Sequence, residues 1–249
     1  MYRSISTQAI VIRRARVGEF HKSLSLLTTD LGLISAMAYG AYKTQSRLRL
    51  GSEPFTCSTA LLYHNPVKKS YKVTELEIAS SYEGLQGDLG RLAAASLWAE
   101  IVQRSFGAGE FSGGLFELFR DCLAALEHAD PAPAQCATLQ FLWRFLSLAG
   151  YQPNLSVCES CGAPLGERGA RYAAHSHGFR CAACAPSGAV IPPGCLRYLA
   201  ATQELAVPQA AAVQLEERAR NVLTDALLGV VQSVLEGPLA SIRWVRAGR

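Results

Sequence analysis

Between residues 5 and 78 the apolar positions fall in five short runs broken by turns, at 5–14, 24–28, 33–39, 55–63 and 71–78, each of which reads as a strand. A period of two sends successive side chains to opposite faces and marks a half-buried strand. In the last run Leu76 and Ile78 alternate with Glu75 and Glu77. Turn-forming residues separate the runs: Thr29-Asp30-Leu31-Gly32 reads as a hairpin turn, and His64-Asn65-Pro66 ends the fourth run. Five strands packed into about 80 residues predict a small barrel.

Beyond Ser80 the period becomes helical. Leu115, Leu118, Phe119, Cys122, Leu123 and Leu126 share one helical face, and Leu139, Leu142, Trp143 and Leu146 share another. A third stripe runs through Leu215, Ala219, Val222, Leu223, Ala226, Leu227, Val230 and Val231. Asp130-Pro131-Ala132-Pro133 breaks the first stripe from the second, Gly150 caps the second, and Pro192-Pro193 opens a further helix. The pattern predicts an α+β chain, with an OB-type five-stranded β-barrel over residues 1–80 and a mostly α-helical domain over residues 81–249.

Four cysteines interrupt the helical pattern as Cys158-Glu159-Ser160-Cys161 and Cys181-Ala182-Ala183-Cys184, with 19 residues between the pairs. Each C-x-x-C folds into a knuckle that offers two thiolates, and two knuckles complete a sulfur tetrahedron around one zinc ion. Gly162, Pro164, Pro186 and Gly188 supply the turns this needs, and residues 171–174 and 178–180 predict a small hairpin around a polar tip. His175 and His177 at that tip read as solvated loop residues rather than ligands. The segment 155–190 is therefore expected to be a four-cysteine zinc ribbon inserted between helices. Four thiolates close the coordination shell, whereas a catalytic zinc keeps one vertex for water or substrate, so the expected role is structural. A redox pair calls for one C-x-x-C after a strand of a βαβ unit, and a zinc deaminase for an upstream H-x-E; neither pattern occurs. Cys57, Cys122, Cys136 and Cys195 lie in apolar surroundings and read as small buried hydrophobes.

Charge adds a direction. The net charge is +4, but residues 1–80 hold 11 Lys and Arg against 5 Asp and Glu, while residues 81–249 hold 13 against 15. A cationic barrel has a physical reason to bind nucleic acid, because Lys and Arg displace counterions from phosphates and aromatic rings stack on unpaired bases. The candidates are Arg13, Arg14, Arg16 and Lys22 around the first turn, Lys43, Arg47 and Arg49 after the third strand, and Lys68, Lys69 and Lys72 before the fifth. Tyr39, Tyr42, Tyr63 and Tyr71 are interleaved with them. No apolar signal core opens the chain and no apolar run is long enough to span a bilayer, so a cytoplasmic location is expected. Neither paired carboxylates, a G-x-x-x-x-G-K loop nor a nucleophile motif supports a nuclease or ligase. The alternative without chemistry is a zinc-stapled scaffold whose barrel binds protein.

Four stretches carry a family resemblance. They are Thr7-Gln8-Ala9-Ile10-Val11-Ile12 with Gly18-Glu19 and Leu26-Leu27-Thr28-Thr29-Asp30-Leu31-Gly32; Tyr39-Gly40-Ala41-Tyr42-Lys43 through Ser46-Arg47-Leu48 to Glu53-Pro54-Phe55; Gly150-Tyr151-x-Pro153-Asn154-Leu155-x-x-Cys158; and residues 239–244. In order and spacing the chain resembles the RecO family of bacterial recombination mediators in DNA repair, over nearly its whole length. The resemblance implies an OB domain joined to a helical domain with a zinc ribbon, and a nucleoid-associated protein that binds single- and double-stranded DNA and anneals complementary strands. It further implies work with RecR, and usually RecF, to load RecA onto DNA coated by single-stranded-DNA-binding protein. None of these tasks breaks a bond, so no enzymatic activity is expected. The glycine-led segment departs from the family pattern of cations and a proline. Here Tyr42, Thr44 and Gln45 surround Lys43, which shifts the expected contacts toward Lys43, Arg47 and Arg49.

Overall fold

Strand β1 (Ser4–Val17) is long enough to pair with two neighbours, and this lets a five-stranded sheet close on itself. In the computed structural model, which describes residues 4–105, 114–173 and 176–247, it pairs antiparallel with β2 (His21–Thr28) on one side and β4 (Cys57–Asn65) on the other. β2 pairs with β3 (Gly32–Ala38), β4 pairs with β5 (Ser70–Ser80), and a short parallel contact of β3 with β5 completes the order β1-β2-β3-β5-β4. Ala9, Val11, Leu24, Leu26, Ala36, Ala38, Leu62 and Val73 fill the barrel. The alternate positions Ile10 and Ile12 point the other way, into the core of the helical body. Both faces of this part of β1 are buried, which explains its unbroken apolar run. All five runs expected as strands are strands, with ends shifted by a few residues.

Between β3 and β4 a loop leads into the short helix α1 (Leu48–Gly51), whose Leu48 enters the barrel core. A Cβ on Gly51 would lie 2.8 Å from that of Leu76, so the α1 backbone rests directly on β5.

The body begins with a 3-10 turn at Glu83–Leu85, then α2 (Leu89–Ser105), α3 (Leu115–Glu127) and α4 (Pro131–Leu148). The ribbon follows with β6 (Ala170–Tyr172) and β7 (Ala189–Ile191), and the chain ends in α5 (Pro193–Thr202), α6 (Val207–Ala212), α7 (Glu217–Val234) and α8 (Ile242–Ala247). α3 is amphipathic as expected, with all six stripe residues buried. α4 differs: Phe141 and Phe145 are buried along with Leu139, Leu142, Trp143 and Leu146, so this helix is enclosed on more than one face. Leu215 precedes α7 rather than belonging to it. Rings link the two halves, with Phe55 of the barrel stacked on Phe119 at 6.5 Å, Phe119 edge-on to Phe141 at 6.2 Å, and Phe141 stacked on Trp98 at 5.1 Å.

The helix boundaries follow local chemistry. Asp130 and Pro131 occupy the N-cap and first position of α4, and Pro192 and Pro193 those of α5. Gly150 at φ +75° ends α4 in a Schellman motif, with the Gly150 N–H donating to Ser147 O (3.0 Å) and the Tyr151 N–H to Leu146 O (2.8 Å). Among the described residues, no helix is long and apolar enough to cross a membrane.

Candidate functional site

The first knuckle is a tight turn in which the Cys158 N–H donates to Ala163 O (2.8 Å) and the Gly162 N–H, at φ +70°, to Cys158 O (2.9 Å). The second closes through the Ala185 N–H and Cys181 O (3.1 Å). Their sulfurs converge, with the Sγ atoms of Cys158, Cys161, Cys181 and Cys184 all within 4.8 Å of one another. Cys161 Sγ and Cys181 Sγ are 3.7 Å apart, close to the value of about 3.8 Å for a tetrahedron with metal–sulfur bonds of about 2.3 Å. Burial opposes ionisation of Cys158, but backbone N–H groups of Cys181, Cys161 and Ser160 outweigh it and draw the thiol down to about 6. The neighbouring sulfurs of Cys161 and Cys181 push Cys184 up to about 12. Such a quartet is fully ionised only around a cation, and the donor set therefore fits a thiolate-bound metal ion.

The ribbon hairpin differs from expectation. Arg171 and Arg180 do pair, each N–H donating to the other's carbonyl (2.8 and 2.9 Å), but the longer partner of β6 is β7, eight residues after the second knuckle begins. Ala174 and His175 lie outside the described residues. His177 meets Tyr151 edge-on at 5.9 Å rather than the sulfurs. Glu159, between the first two cysteines, accepts from Ser176 Oγ (2.8 Å) and Arg180 Nε (3.1 Å), which ties the knuckle to the hairpin independently of metal. Leu165, Ala170, Phe179 and Ile191 of the ribbon join the helical core.

The cations divide into two groups on the barrel. Lys43, Arg47, Arg49, Lys68, Lys69 and Lys72 are exposed, as is Arg13, which lines a cleft of about 580 Å³ between barrel and α2. Arg14 and Arg16 are exposed but engaged. Arg14 pairs with Glu53 (2.9 Å) and donates to Tyr42 Oη (2.8 Å), while Arg16 donates to Gly18 O and Glu19 O and lies over the Tyr42 ring. Lys43 Nζ sits 5.8 Å from the centroid of Phe20, and Lys72 Nζ 5.7 Å from that of Tyr39. His21 meets Tyr39 edge-on at 5.1 Å. These contacts make one strip from the β1–β2 turn, across the edge of β2 and β3, toward the β4–β5 turn that carries Lys68 and Lys69. In OB barrels this surface and these two turns are where oligonucleotides lie.

Comparison with known proteins decides the family. Residues 1–82 match the family described as Recombination protein O N terminal, and residues 86–243 match Recombination protein O C terminal. The chain belongs to the RecO family. The DNA repair protein RecO of Anaeromyxobacter dehalogenans strain 2CP-C is 31% identical over 244 residues, which cover 97% of this chain and 95% of that protein. The one from Rubrobacter xylanophilus is 32% identical over 90% of this chain and 89% of its own length. The family is one of DNA repair and recombination, consistent with a mediator role.

One expected DNA contact is corrected by the structure. Lys22 is fully buried, donating to Arg49 O (3.2 Å), Ser52 Oγ (2.7 Å) and Glu53 Oε1 (2.8 Å), with the Tyr42 ring 4.9 Å away. It continues the inward row of Leu24 and Leu26, so the strand's own alternation already turned it inside. Tyr42 and Tyr71 are also occupied, the first by Arg14, Arg16 and Lys22 and the second by stacking on His64 at 4.8 Å. Phe20, a large apolar residue in the β1–β2 turn, also lies on the cationic strip beside Lys43. Several arginines of the body, by contrast, serve its helices: Arg91 donates to Glu127 O and Ala129 O after α3, Arg144 to Thr202 O and Leu205 O after α5, and Arg104 to Leu235 O after α7.

Proposed function

We propose that this chain is a non-enzymatic recombination mediator that binds single- and double-stranded DNA through the barrel and anneals complementary strands. It works with RecR and RecF to load RecA on DNA coated by single-stranded-DNA-binding protein. Residues 1–80 act as the nucleic-acid-binding unit and residues 81–249, with the ribbon at 155–190, as the supporting body. The observation that carries the reading is the exposed cationic strip on a closed five-stranded barrel in a member of this family. All five lysines of the chain lie within residues 1–80, and every later cation except histidine is an arginine. Screening phosphates on two strands lets them approach and pair, so annealing asks for no reacting side chain.

We assign one zinc ion to Cys158, Cys161, Cys181 and Cys184. The ion supplies no chemistry to the DNA; it crosslinks the two knuckles and holds the ribbon against the helices.

Annealing of complementary labelled oligonucleotides across a salt series, with and without single-stranded-DNA-binding protein, tests the proposal. Pairing should accelerate without nucleotide, and DNA affinity should fall steeply as salt rises from about 50 to about 200 mM. No DNA binding at low salt, or cleavage or joining of the strands, overturns it.

A further inference from the structure

Two rings on the cationic strip serve no core. Phe20, in the β1–β2 turn, is 41% exposed, and Tyr39, at the end of β3, is 51% exposed. The buried clusters of the barrel and of the body include neither of them. A turn does not need an exposed phenyl ring, since small polar residues satisfy its backbone equally well. Lys43 lies over Phe20 and Lys72 over Tyr39, which the His21 ring also meets edge-on. The backbone keeps both in place. The Tyr42 N–H donates to Phe20 O (3.0 Å), and the Gly40 N–H to His21 Nδ1 (2.9 Å), so the loop after β3 is pinned to the β1–β2 turn on both sides of the pair.

We infer that Phe20 and Tyr39 are stacking platforms for unpaired bases, and that they give this surface its preference for single strands over duplex. The inference rests on the proposed DNA-binding role and adds what phosphate screening alone lacks. Lysines attract any nucleic-acid backbone, whereas a ring face accepts a base only when that base is not already stacked in a helix. A π-face is common to all four bases, so the platforms discriminate by strandedness and not by sequence. A base stacking on either ring displaces the lysine lying over that face toward the phosphates of the same strand. An acidic protein tail also complements the charge, but its carboxylates would engage the lysines rather than stack on the rings.

The test uses the full chain and three probes of equal length: a single-stranded oligonucleotide, the same backbone with abasic sites throughout, and a duplex. The parent protein should bind the normal single strand at least about 10-fold more tightly than the abasic one, and Phe20→Ala with Tyr39→Ala should erase most of that ratio while leaving abasic and duplex affinities within about 2-fold. Phe20→Tyr with Tyr39→Phe, which keeps the rings, should restore it, a result that misfolding does not give. If the parent binds the normal and abasic strands equally, or if the alanine pair keeps the full ratio, the platforms do not hold bases. Failure of all three probes to bind at low salt sinks the DNA-binding proposal itself, an outcome distinct from either of these.

Discussion

Replacing Lys22 by methionine removes a charge but keeps an unbranched stem, and the structure sets what is lost. The ammonium is fully buried and has three acceptors, of which Ser52 Oγ and Glu53 Oε1 lie within 2.8 Å. Removing one partner of a buried ion pair costs roughly 3–5 kcal/mol when the other charge is left uncompensated. Glu53 escapes that fate, because its side chain is 31% exposed and keeps Arg14 at 2.9 Å. Ser52 Oγ likewise keeps its bond to Arg49 O (3.1 Å). With solvent screening and these retained partners, Lys22→Met should lower the unfolding free energy by about 2 kcal/mol. Glu53→Ala leaves the ammonium buried without its anion and should cost more, about 3–5 kcal/mol. Urea denaturation of both variants measures the order. DNA binding then separates buried from exposed cations, since each phosphate neutralised on a single strand contributes about 0.7 to the slope of log K against log salt. Lys43→Gln should shallow that slope by about one contact, and Lys22→Met should leave it unchanged. A Lys22→Met protein as stable as the parent, or one with a shallower salt slope, refutes this account of the buried lysine.

Three other outcomes follow from the body. Purified protein should carry close to one zinc per chain, and Cys184→Ala should lose the metal and unfold at lower temperature; zinc-free protein of parental stability contradicts the structural role. Glu100 accepts from the Ala240 and Ser241 N–H groups (2.8 Å each), and although burial opposes it, these bonds and Arg104 hold its carboxyl below the usual carboxylate range. A depressed folded-state value means the contribution is present above the unfolded value of about 4.3 and is lost as pH falls through the lower folded one. Glu100→Gln should therefore flatten the acid limb of the stability profile, seen by urea titration between about pH 5 and pH 3, and an unchanged limb removes Glu100 from it. A Cβ on Gly229 of α7 would enter the Tyr172 phenol of the ribbon, so Gly229→Ala should destabilise by about 1–3 kcal/mol, and Tyr172→Phe in the same chain should recover part of that in thermal melts.

The barrel was readable from the chain because short apolar runs are punctuated by turn residues, and part of it alternates visibly, as Leu24 and Leu26 inward against Ser23 and Ser25 illustrate. The knuckles were readable because ligand spacing is a covalent property, and Gly162 and Gly150 adopt the left-handed conformations their positions suggested. α2 gave little stripe to find: Ala93, Ala94, Ala95, Leu97, Trp98, Ala99, Ile101 and Val102 are all buried, so apolar residues cover most of its circumference and leave only a narrow polar side through Ser96, Glu100 and Gln103. The β6–β7 pairing was missed for a related reason, since strands of three residues are too short to display alternation.

From the sequence alone came the kinds of element, the order in which they occur and the residues able to bind a metal. These depend on backbone geometry and covalent spacing, which act over a few residues. Tertiary structure alone decided which charges and rings are free. Lys22 and Lys43 are the same residue type on the same barrel, yet Ser52 and Glu53, some thirty positions along the chain, enclose the first and leave the second in solvent. Tyr42 and Tyr39, three positions apart, differ too, because three cations converge on Tyr42, whereas Tyr39 meets one lysine and the edge of His21 and stays half exposed. Alternation along β2 gives the side Lys22 faces, but what encloses its charge is a property of what the folded chain brings alongside, which no local pattern records.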